Sequence, residues 1–263
     1  MGKKGTGEKP LKEGLQYHIH CKKGDVAPYV LMPGDPWRVP KVAKHWTRKR
    51  KIAFNREYQT YTGKIGRVPI SCTSSGLGST PLAVAFEELV AVGAETFIRI
   101  GTTACMQRDA KIGDFIISTG AVRLDGASKD YVRPEYPAVA HYQVVNALIR
   151  AAEKLKVNYH VGITASTDTF YCGQGREGYK GYLPSFQKDL LKDLQKARVL
   201  NFEMEASCLF TLSSLFGKRA GAVCVVIVDR VRDKFKITDE MEEMVGKIGT
   251  EAVRILGRKD KTY

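Results

Sequence analysis

An arginine stands inside one of the apolar segments of this sequence, in TFIRIG at residues 96–101. A buried guanidinium is costly unless it pairs with a carboxylate or binds an anion. Glycines nearby let backbone N–H groups approach such an anion, and a guanidinium matches phosphate oxygens with two parallel hydrogen bonds. The segment therefore predicts an oxyanion site that uses positively charged and glycine residues near strand ends. The candidate phosphate site consists of Gly34, Arg38, Arg99 and Thr102.

Structural ion pairs are the alternative explanation for the same arginines. Asp35 follows Gly34 directly, and Glu203 and Glu205 end a predicted strand over residues 199–204. Carboxylates in these places would neutralise a buried guanidinium without any ligand. The residue types alone leave both explanations open.

The elements that must position these side chains alternate along the chain. Runs rich in β-branched residues predict strands over residues 29–32, 51–63, 96–100, 199–204 and 220–228, and helical periodicity separates several of them. Thr80 is predicted to cap a helix that has Pro81 in its first turn. Alternation of this kind favours an α/β fold with a mainly parallel or mixed sheet, in which ligands collect at the carboxyl ends of strands.

Length and composition favour a single domain. The 263 residues suffice for one large α/β core, and we expect a flexible basic tail over residues 1–14 before a domain over residues 15–263. The six cysteines are scattered without metal-type spacing, which predicts free, mostly buried thiols in a cytoplasmic protein. The longest apolar run is shorter than the roughly 20 residues of a membrane span, so we expect no membrane association.

The sequence carries 42 Lys and Arg residues against 28 Asp and Glu residues, a formal net charge of +14. A basic surface can bind nucleic acid, but no nucleic-acid-binding motif accompanies the charge. We therefore expect solvated basic segments and an anion site, with no nucleic-acid partner.

Eight segments, taken in order, give a more specific indication. They are PGDPWRV, NREYQTYTG, SSGLGSTPLAVAFEEL, RIGTTACMQ, VRLDGAS, TASTDTFYCGQGR, NFEMEAS and VIVDRV. On these segments the chain resembles the nucleoside phosphorylase family, which includes uridine phosphorylases and hexameric purine nucleoside phosphorylases. The resemblance covers the chain from about His18 to the last helix. It implies a single-domain mixed central β-sheet, partly barrel-like and flanked by helices.

The resemblance also implies roles for individual residues. The phosphate site would be the set named above together with Arg56, which would enter from a neighbouring subunit. Glu205 would accept hydrogen bonds from the ribose 2′- and 3′-hydroxyls. His18, in preference to His20, would reach the 5′-hydroxyl across a dimer interface. The implied ribose site consists of His18, Thr102, Glu203, Met204 and Glu205.

The segment TFYCGQGR matches the uridine-cleaving branch of the family. A glutamine amide suits the donor and acceptor edge of uracil, an arginine suits its carbonyl oxygens, and a phenylalanine can stack on the base. Asp229 stands where we expect a neutral residue, and an ion pair with Arg230 or Arg176 is its simplest explanation. The implied base site consists of Phe170, Gln174, Arg176, Ile227, Val228 and Arg230.

The activity implied by the resemblance is a pentosyl transfer: inorganic phosphate, a co-substrate, splits uridine reversibly into uracil and ribose 1-phosphate. The catalytic residues would be Arg99, Gln174, Arg176 and Glu205. No cofactor is implied, except that Glu57 resembles a residue that holds a monovalent cation such as K⁺ at a dimer interface. The expected assembly is a homohexamer, a trimer of dimers with shared sites. A purine nucleoside phosphorylase of the same fold is the alternative within the family, and a non-catalytic binding protein is the alternative outside enzymes.

Overall fold

The computed structural model describes residues 5–260. Residues 1–4 of the predicted tail lie outside this range, and Leu11–Lys12 of the tail pairs antiparallel with Leu15–Gln16 of the predicted domain. The strands are β1 Leu11–Lys12, β2 Leu15–Gln16, β3 Tyr29–Met32, β4 Thr47–Asn55, β5 Tyr58–Ile65, β6 Val68–Thr73, β7 Thr96–Cys105, β8 Phe115–Leu124, β9 Ala138–Val139, β10 Tyr159–Thr167, β11 Asn201–Glu203, β12 Arg219–Asp229 and β13 Lys234–Phe235. The α-helices are α1 Arg38–Val42, α2 Ser79–Ala91, α3 Ala127–Tyr131, α4 Tyr142–Leu155, α5 Leu190–Lys196, α6 Ala206–Leu215 and α7 Asp239–Lys259.

Five strands of the central sheet close into a ring. β12 pairs in parallel with β7 and antiparallel with β8, and β8 pairs in parallel with β10. β10 continues in parallel to β11, which returns antiparallel to β7. From β7 the sheet also extends through β3, β6 and β5 to β4. The predicted α/β fold, with a mixed and partly barrel-like sheet, is therefore confirmed.

Burial and capping explain the main elements. β12 is buried along most of its length, as expected of an apolar strand that lies between two neighbours and is covered by helices. His141 caps helix α4, because its side chain accepts a hydrogen bond from Gln143 N at 3.3 Å. Thr238 caps helix α7 by accepting one from Met241 N at 3.4 Å, and three acidic residues in the first turn of α7 interact favourably with the positive end of the helix dipole.

Three sequence-based boundaries are wrong. Residues 51–63 belong to two strands, because the chain turns at Arg56, whose φ is 53°. The strand predicted over residues 96–100 continues to Cys105 because β12 pairs with it along that length. Thr80 lies inside α2, and the helix begins after Gly78, whose φ of 95° suits glycine alone.

The six cysteines are unpaired, and five of them are buried, which confirms the prediction of free thiols. Within residues 5–260, no helix combines the length and the apolar character needed to cross a membrane.

Candidate active site

A cavity of about 380 Å³ opens where β3, β11 and β12 end, beside residues 99–104 of β7 and the loop after β10. This position agrees with the rule that sites in such sheets form beyond the ends of strands. The residues around it come from segments far apart in the sequence. The predicted members of the lining are Gly34, Arg38, Arg99, Thr102, Phe170, Gln174, Arg176, Glu203, Met204, Glu205, Ile227 and Val228.

Arg99 lies at the centre of a buried charge cluster on one wall. Its Nε lies 2.6 Å from Glu203 Oε2 and its Nη2 2.5 Å from Glu205 Oε2. Burial alone would lower the pKa of Arg99, but the two carboxylates raise it, so the guanidinium stays charged. The ion pairs expected as the alternative are thus present, and Arg99 lines the cavity as well.

Glu205 lines the cavity, and its burial and its charged neighbours shift its pKa. Burial raises its pKa, Arg99 lowers it, and repulsion from Glu203 raises it further, with a net rise. Gly78 N donates a hydrogen bond to Glu205 Oε1 at 2.6 Å. This donor and Arg99 hold the carboxylate at the cavity wall, where its oxygens are acceptors for hydroxyl groups.

Glu203 directs its oxygens into the protein. They accept hydrogen bonds from Ser166 Oγ and from the backbone N–H groups of Glu205 and Ala206, both at 2.9 Å from Oε2. The carboxylate therefore holds the N-terminus of α6 and the guanidinium of Arg99. Each oxygen of Glu203 thus already accepts from two or more protein donors, and its predicted contact with ribose stays a prediction.

Gly34 and Arg38 line the same cavity as Arg99. A Cβ at Gly34 would lie 3.2 Å from the carbonyl oxygen of Gly76, so two loops approach closely here. Arg38 begins α1, and its Nε lies 2.8 Å from Glu242 Oε1 of α7. The structure thus brings the four candidate phosphate residues together, while their role stays a prediction.

The loop after β10 contributes Phe170, Gln174 and Arg176 to the cavity. We call this part of the cavity the base end, because these residues belong to the predicted base site. Arg176 Cζ lies 4.2 Å from the centre of the Phe170 ring, and its Nη1 donates to Phe170 O at 2.8 Å and to Gln174 Oε1. Its Nη2 is buried and has no hydrogen-bond partner among the described residues. Burial and the nearby Arg230 lower the pKa of Arg176 to about 10, so it is cationic at neutral pH.

Arg230 holds the backbone of this loop from outside the cavity. Its Nη1 donates to Gln174 O at 3.0 Å, and the residue lies outside the cavity lining. The expected pairing of Asp229 with Arg230 or Arg176 is wrong, because Asp229 pairs with Arg232 at 2.6 Å. The reason is a β-bulge at Ile227 in β12, which turns the Asp229 side chain to the other face of the sheet.

His18 and Arg56 lie outside the cavity of their own chain. His18 Nδ1 is 2.7 Å from Glu88 Oε1, and Arg56 lies over the Tyr17 ring with 5.8 Å between Cζ and the ring centroid. Their predicted contribution to a neighbouring subunit's site stays a prediction, as does a cation near Glu57, although Glu57 itself lines the cavity.

The sequence patterns do not identify all the residues that form or support the cavity. No site role is predicted for the loop over residues 74–80, yet Gly76 and Leu77 line the cavity and Gly78 holds Glu205. The signal was the pair of glycines, whose φ values are 73° and 95°. Arg232 was also missed, and its spacing of three residues from Asp229 was the available signal.

Comparison with known proteins identifies the family of this chain. A protein of Thermococcus kodakarensis named uridine phosphorylase is 56% identical over 257 residues, covering 97% of this chain and 92% of the relative. The uridine phosphorylase of Escherichia coli K12 is 38% identical over 246 residues, covering 91% and 97%. A guanosine phosphorylase of Halorubrum lacusprofundi is 35% identical over 232 residues, covering 88% and 91%. The model of the phosphorylase superfamily matches residues 28–258, and the chain belongs to that superfamily.

Proposed function

We propose that this protein is a pentosyltransferase that splits uridine reversibly with inorganic phosphate to give uracil and ribose 1-phosphate. The observation that carries the proposal is the pairing of two features in one cavity: a buried arginine between carboxylates, and a glutamine with an arginine at the base end. Relatives named uridine phosphorylase, 37–56% identical over most of the chain, support it.

Phosphate binds beside Arg99 in this proposal. Gly34, Arg38 and Thr102 line the same cavity, so guanidinium and backbone donors are available to an oxyanion there. Arg56 completes the phosphate site from a neighbouring subunit. The guanidinium groups position the phosphate below C1′ of the ribose and balance its charge.

The ribose lies over Met204 and Glu205 in this proposal. Glu205 accepts hydrogen bonds from the 2′- and 3′-hydroxyls, for which a carboxylate held by Gly78 and Arg99 is suited. His18 of a neighbouring subunit donates to or accepts from the 5′-hydroxyl. These contacts fix C1′ above the attacking phosphate oxygen.

The reaction proceeds as a direct displacement. The bond between C1′ and N1 of uracil lengthens first, the sugar gains oxocarbenium character, and the phosphate dianion faces that positive charge. Negative charge on the leaving uracil spreads to its carbonyl oxygens, where Gln174 and Arg176 donate hydrogen bonds. The unpartnered Nη2 of Arg176 supplies a donor for this purpose. Phe170, Ile227 and Val228 contact the ring.

The assembly we propose is a cytoplasmic homohexamer, a trimer of dimers, in which each pair of subunits exchanges Arg56 and His18. A monovalent cation such as K⁺ near Glu57 belongs to the same proposed interface. Turnover in K⁺-free buffer and the mass of the assembly by light scattering test these two parts.

Phosphorolysis of a nucleoside panel tests the activity. We expect rapid uracil release from uridine only when phosphate is present, and slow base release from inosine and guanosine. Base release without phosphate would indicate a hydrolase and contradict the proposal. Faster cleavage of guanosine or inosine than of uridine would favour the purine alternative, to which the guanosine phosphorylase relative points.

A further inference from the structure

Strand β12 departs from regular alternation where it borders the base end of the cavity. In its pairing with β7, Val226 lies opposite Thr103 and Val228 opposite Ala104, so Ile227 is the extra residue of a β-bulge. Successive side chains of a regular strand point to opposite faces, and a bulge shifts that alternation by one residue. Consequently Ile227 and Val228 both line the cavity.

The same bulge turns Asp229 to the opposite face of the sheet. Asp229 pairs with Cys105 of β7, and Cys105 packs with Ala110 and Val226 in a small cluster on that face. In a strand without the extra residue, position 229 would share the face of Ile227 and border the base end. Because of the bulge, the apolar side chain of Val228 lines the cavity, where the Asp229 carboxylate would otherwise lie.

Arg232 fixes Asp229 on the far face. Its Nη1 is 2.6 Å from Asp229 Oδ2, and the backbone N–H groups of Val231 and Arg232 donate to Oδ1 at 2.9 and 3.0 Å. Arg232 also donates to the carbonyl oxygens of Arg108 and Ala110 at 2.7 and 3.3 Å. Burial alone would raise the pKa of Asp229, but these donors lower it, so the side chain stays an anion.

The two classes of nucleobase need different help to leave. A purine departs through N9 and leaves more readily when an acid protonates N7, which a carboxyl group within reach can do. Uracil departs through N1 as an anion, and hydrogen-bond donors at its carbonyl oxygens stabilise it. Among the described residues at the base end, Gln174 and Arg176 are donors, and Phe170, Ile227 and Val228 carry no acid.

We infer that Arg232 restricts the site to pyrimidine nucleosides by holding the Asp229 carboxylate away from the base, on the face to which the β12 bulge turns it, an inference that rests on the proposed phosphorolysis. Arg232 is a positioning residue because it acts through Asp229. Once released, Asp229 in its protonated form can transfer the proton to purine N7. The bond from C1′ to N9 then breaks, the purine leaves neutral, and the carboxylate remains.

Substitution of Arg232 tests the inference through the ratio of kcat/KM for inosine to that for uridine. Arg232→Gln removes the cation and should raise this ratio at least about tenfold, a small part of the effect of a general acid. Arg232→Lys keeps the ion pair and should keep the wild-type ratio. Arg232→Gln combined with Asp229→Asn should lose the gain, because the asparagine has no proton to transfer.

Three results would overturn the inference: an unchanged ratio in folded Arg232→Gln, a gain that persists in the double variant, or the same gain in Arg232→Lys. Should Arg232→Gln fail to fold, Asp229→Asn alone decides, since it keeps the carbonyl contacts of Arg232. We expect its ratio of kcat/KM for inosine to that for uridine to stay within about threefold of wild type, because Asp229 already lies away from the base. A fall of more than about tenfold would show that Asp229 already protonates the purine in the wild-type protein and would overturn the inference. Failure of the proposed function appears separately, as absent phosphate-dependent uracil release by the wild-type protein.

Discussion

At the scale of single residues, one guanidinium is held by two carboxylates in a buried wall. Glu203 binds the Nε edge of Arg99 and Glu205 binds Nη2, and Glu203 is itself fixed by Ser166 and by the start of α6. Because every member has a charged or hydrogen-bonded partner, the cluster avoids the cost of an isolated buried charge. Arg99 therefore has its orientation set before any anion enters, which is the arrangement that favours electrostatic stabilisation.

Arg176 is the residue whose removal should most clearly separate base recognition from phosphate binding. Arg176→Ala deletes the buried, unpartnered Nη2 and the contact with Gln174, so we expect uridine phosphorolysis to fall by about a hundredfold. Phosphate affinity, measured by calorimetry, should change little. Arg67→Ala at an exposed position serves as the control. Wild-type turnover in Arg176→Ala would refute the role of this arginine.

At the scale of elements, the loop before α2 connects the fold to the site. Gly76 and Gly78 both have positive φ, and the turn that they make lets Gly78 N reach Glu205 at 2.6 Å. The helix has no side-chain cap, so its first N–H groups depend on this loop geometry. A single backbone conformation thus sets both the beginning of α2 and the position of a carboxylate in the cavity.

Replacing Gly78 tests that connection. Its φ of 95° and ψ of 175° are nearly inaccessible to other residues, so Gly78→Ala should lower the free energy of unfolding by about 1–3 kcal/mol, measured by urea titration. Gly7→Ala is the matched control, because a Cβ there meets nothing within 4 Å. Equal stability of the two variants would show that the loop tolerates the change.

The sequence predicts the elements better than their ends. Runs of apolar and β-branched residues identified the strands at residues 29–32 and 220–228, because strands buried on both faces need apolar side chains throughout. The turn at Arg56 and the bulge at Ile227 leave no such pattern, since both are set by pairing with distant strands. The family resemblance allowed most cavity residues to be predicted as a set. The pairing of Asp229 with Arg232 depends on the bulge and could not be predicted.

At the scale of the whole molecule, ring closure assembles the site. The pairing of β12 with β7 brings residues near 100 and 228 together, and β11 adds Glu203 between β10 and β7. Each wall of the cavity thus comes from a different part of the chain, so the site exists only in the folded state. His18 and Arg56 lie outside this single-chain cavity and are the residues we propose to act between subunits.

Mixed oligomers test that exchange. Arg56→Ala and Glu205→Ala should each be nearly inactive alone. After denaturation and joint refolding in equal amounts, about half of the pairs are mixed and each mixed pair has one intact site, so about a quarter of wild-type activity should return. Refolding each variant alone is the control. Activity no higher than the average of the separate variants would contradict a shared site.

The end of α7 is tied to the sheet by a pH-sensitive contact. Asp260 accepts hydrogen bonds from Arg219 Nη2 at 2.5 Å and from the Tyr29 hydroxyl. Arg219 lowers the pKa of Asp260, burial opposes it, and Tyr29 lowers it further, with a net decrease. A lowered folded-state pKa gives stability that is present above the ordinary value of 3.8 and is lost as the pH falls through the folded-state value.

Asp260→Asn should therefore destabilise the protein by about 1 kcal/mol at pH 7, a value reduced for partial exposure. The difference from wild type should shrink as the pH falls below 4, in urea titrations at several pH values. Asp189→Asn, in an exposed pair with Lys192, is the control and should change little. A difference that stays constant with pH would argue against the ionised contact.

The rates at which its six thiols react can report local opening of this protein, because five thiols are buried and Cys172 is partly exposed. Cys21, Cys105 and Cys224 are buried, and burial raises their pKa values to about 12, 11 and 12, so alkylation must wait until the surrounding packing opens. Cys172 is half-buried at the start of the short helical turn that carries Gln174. A maleimide time course would thus contain a fast phase from the base loop, which bound uracil should slow, followed by phases that record opening of the barrel.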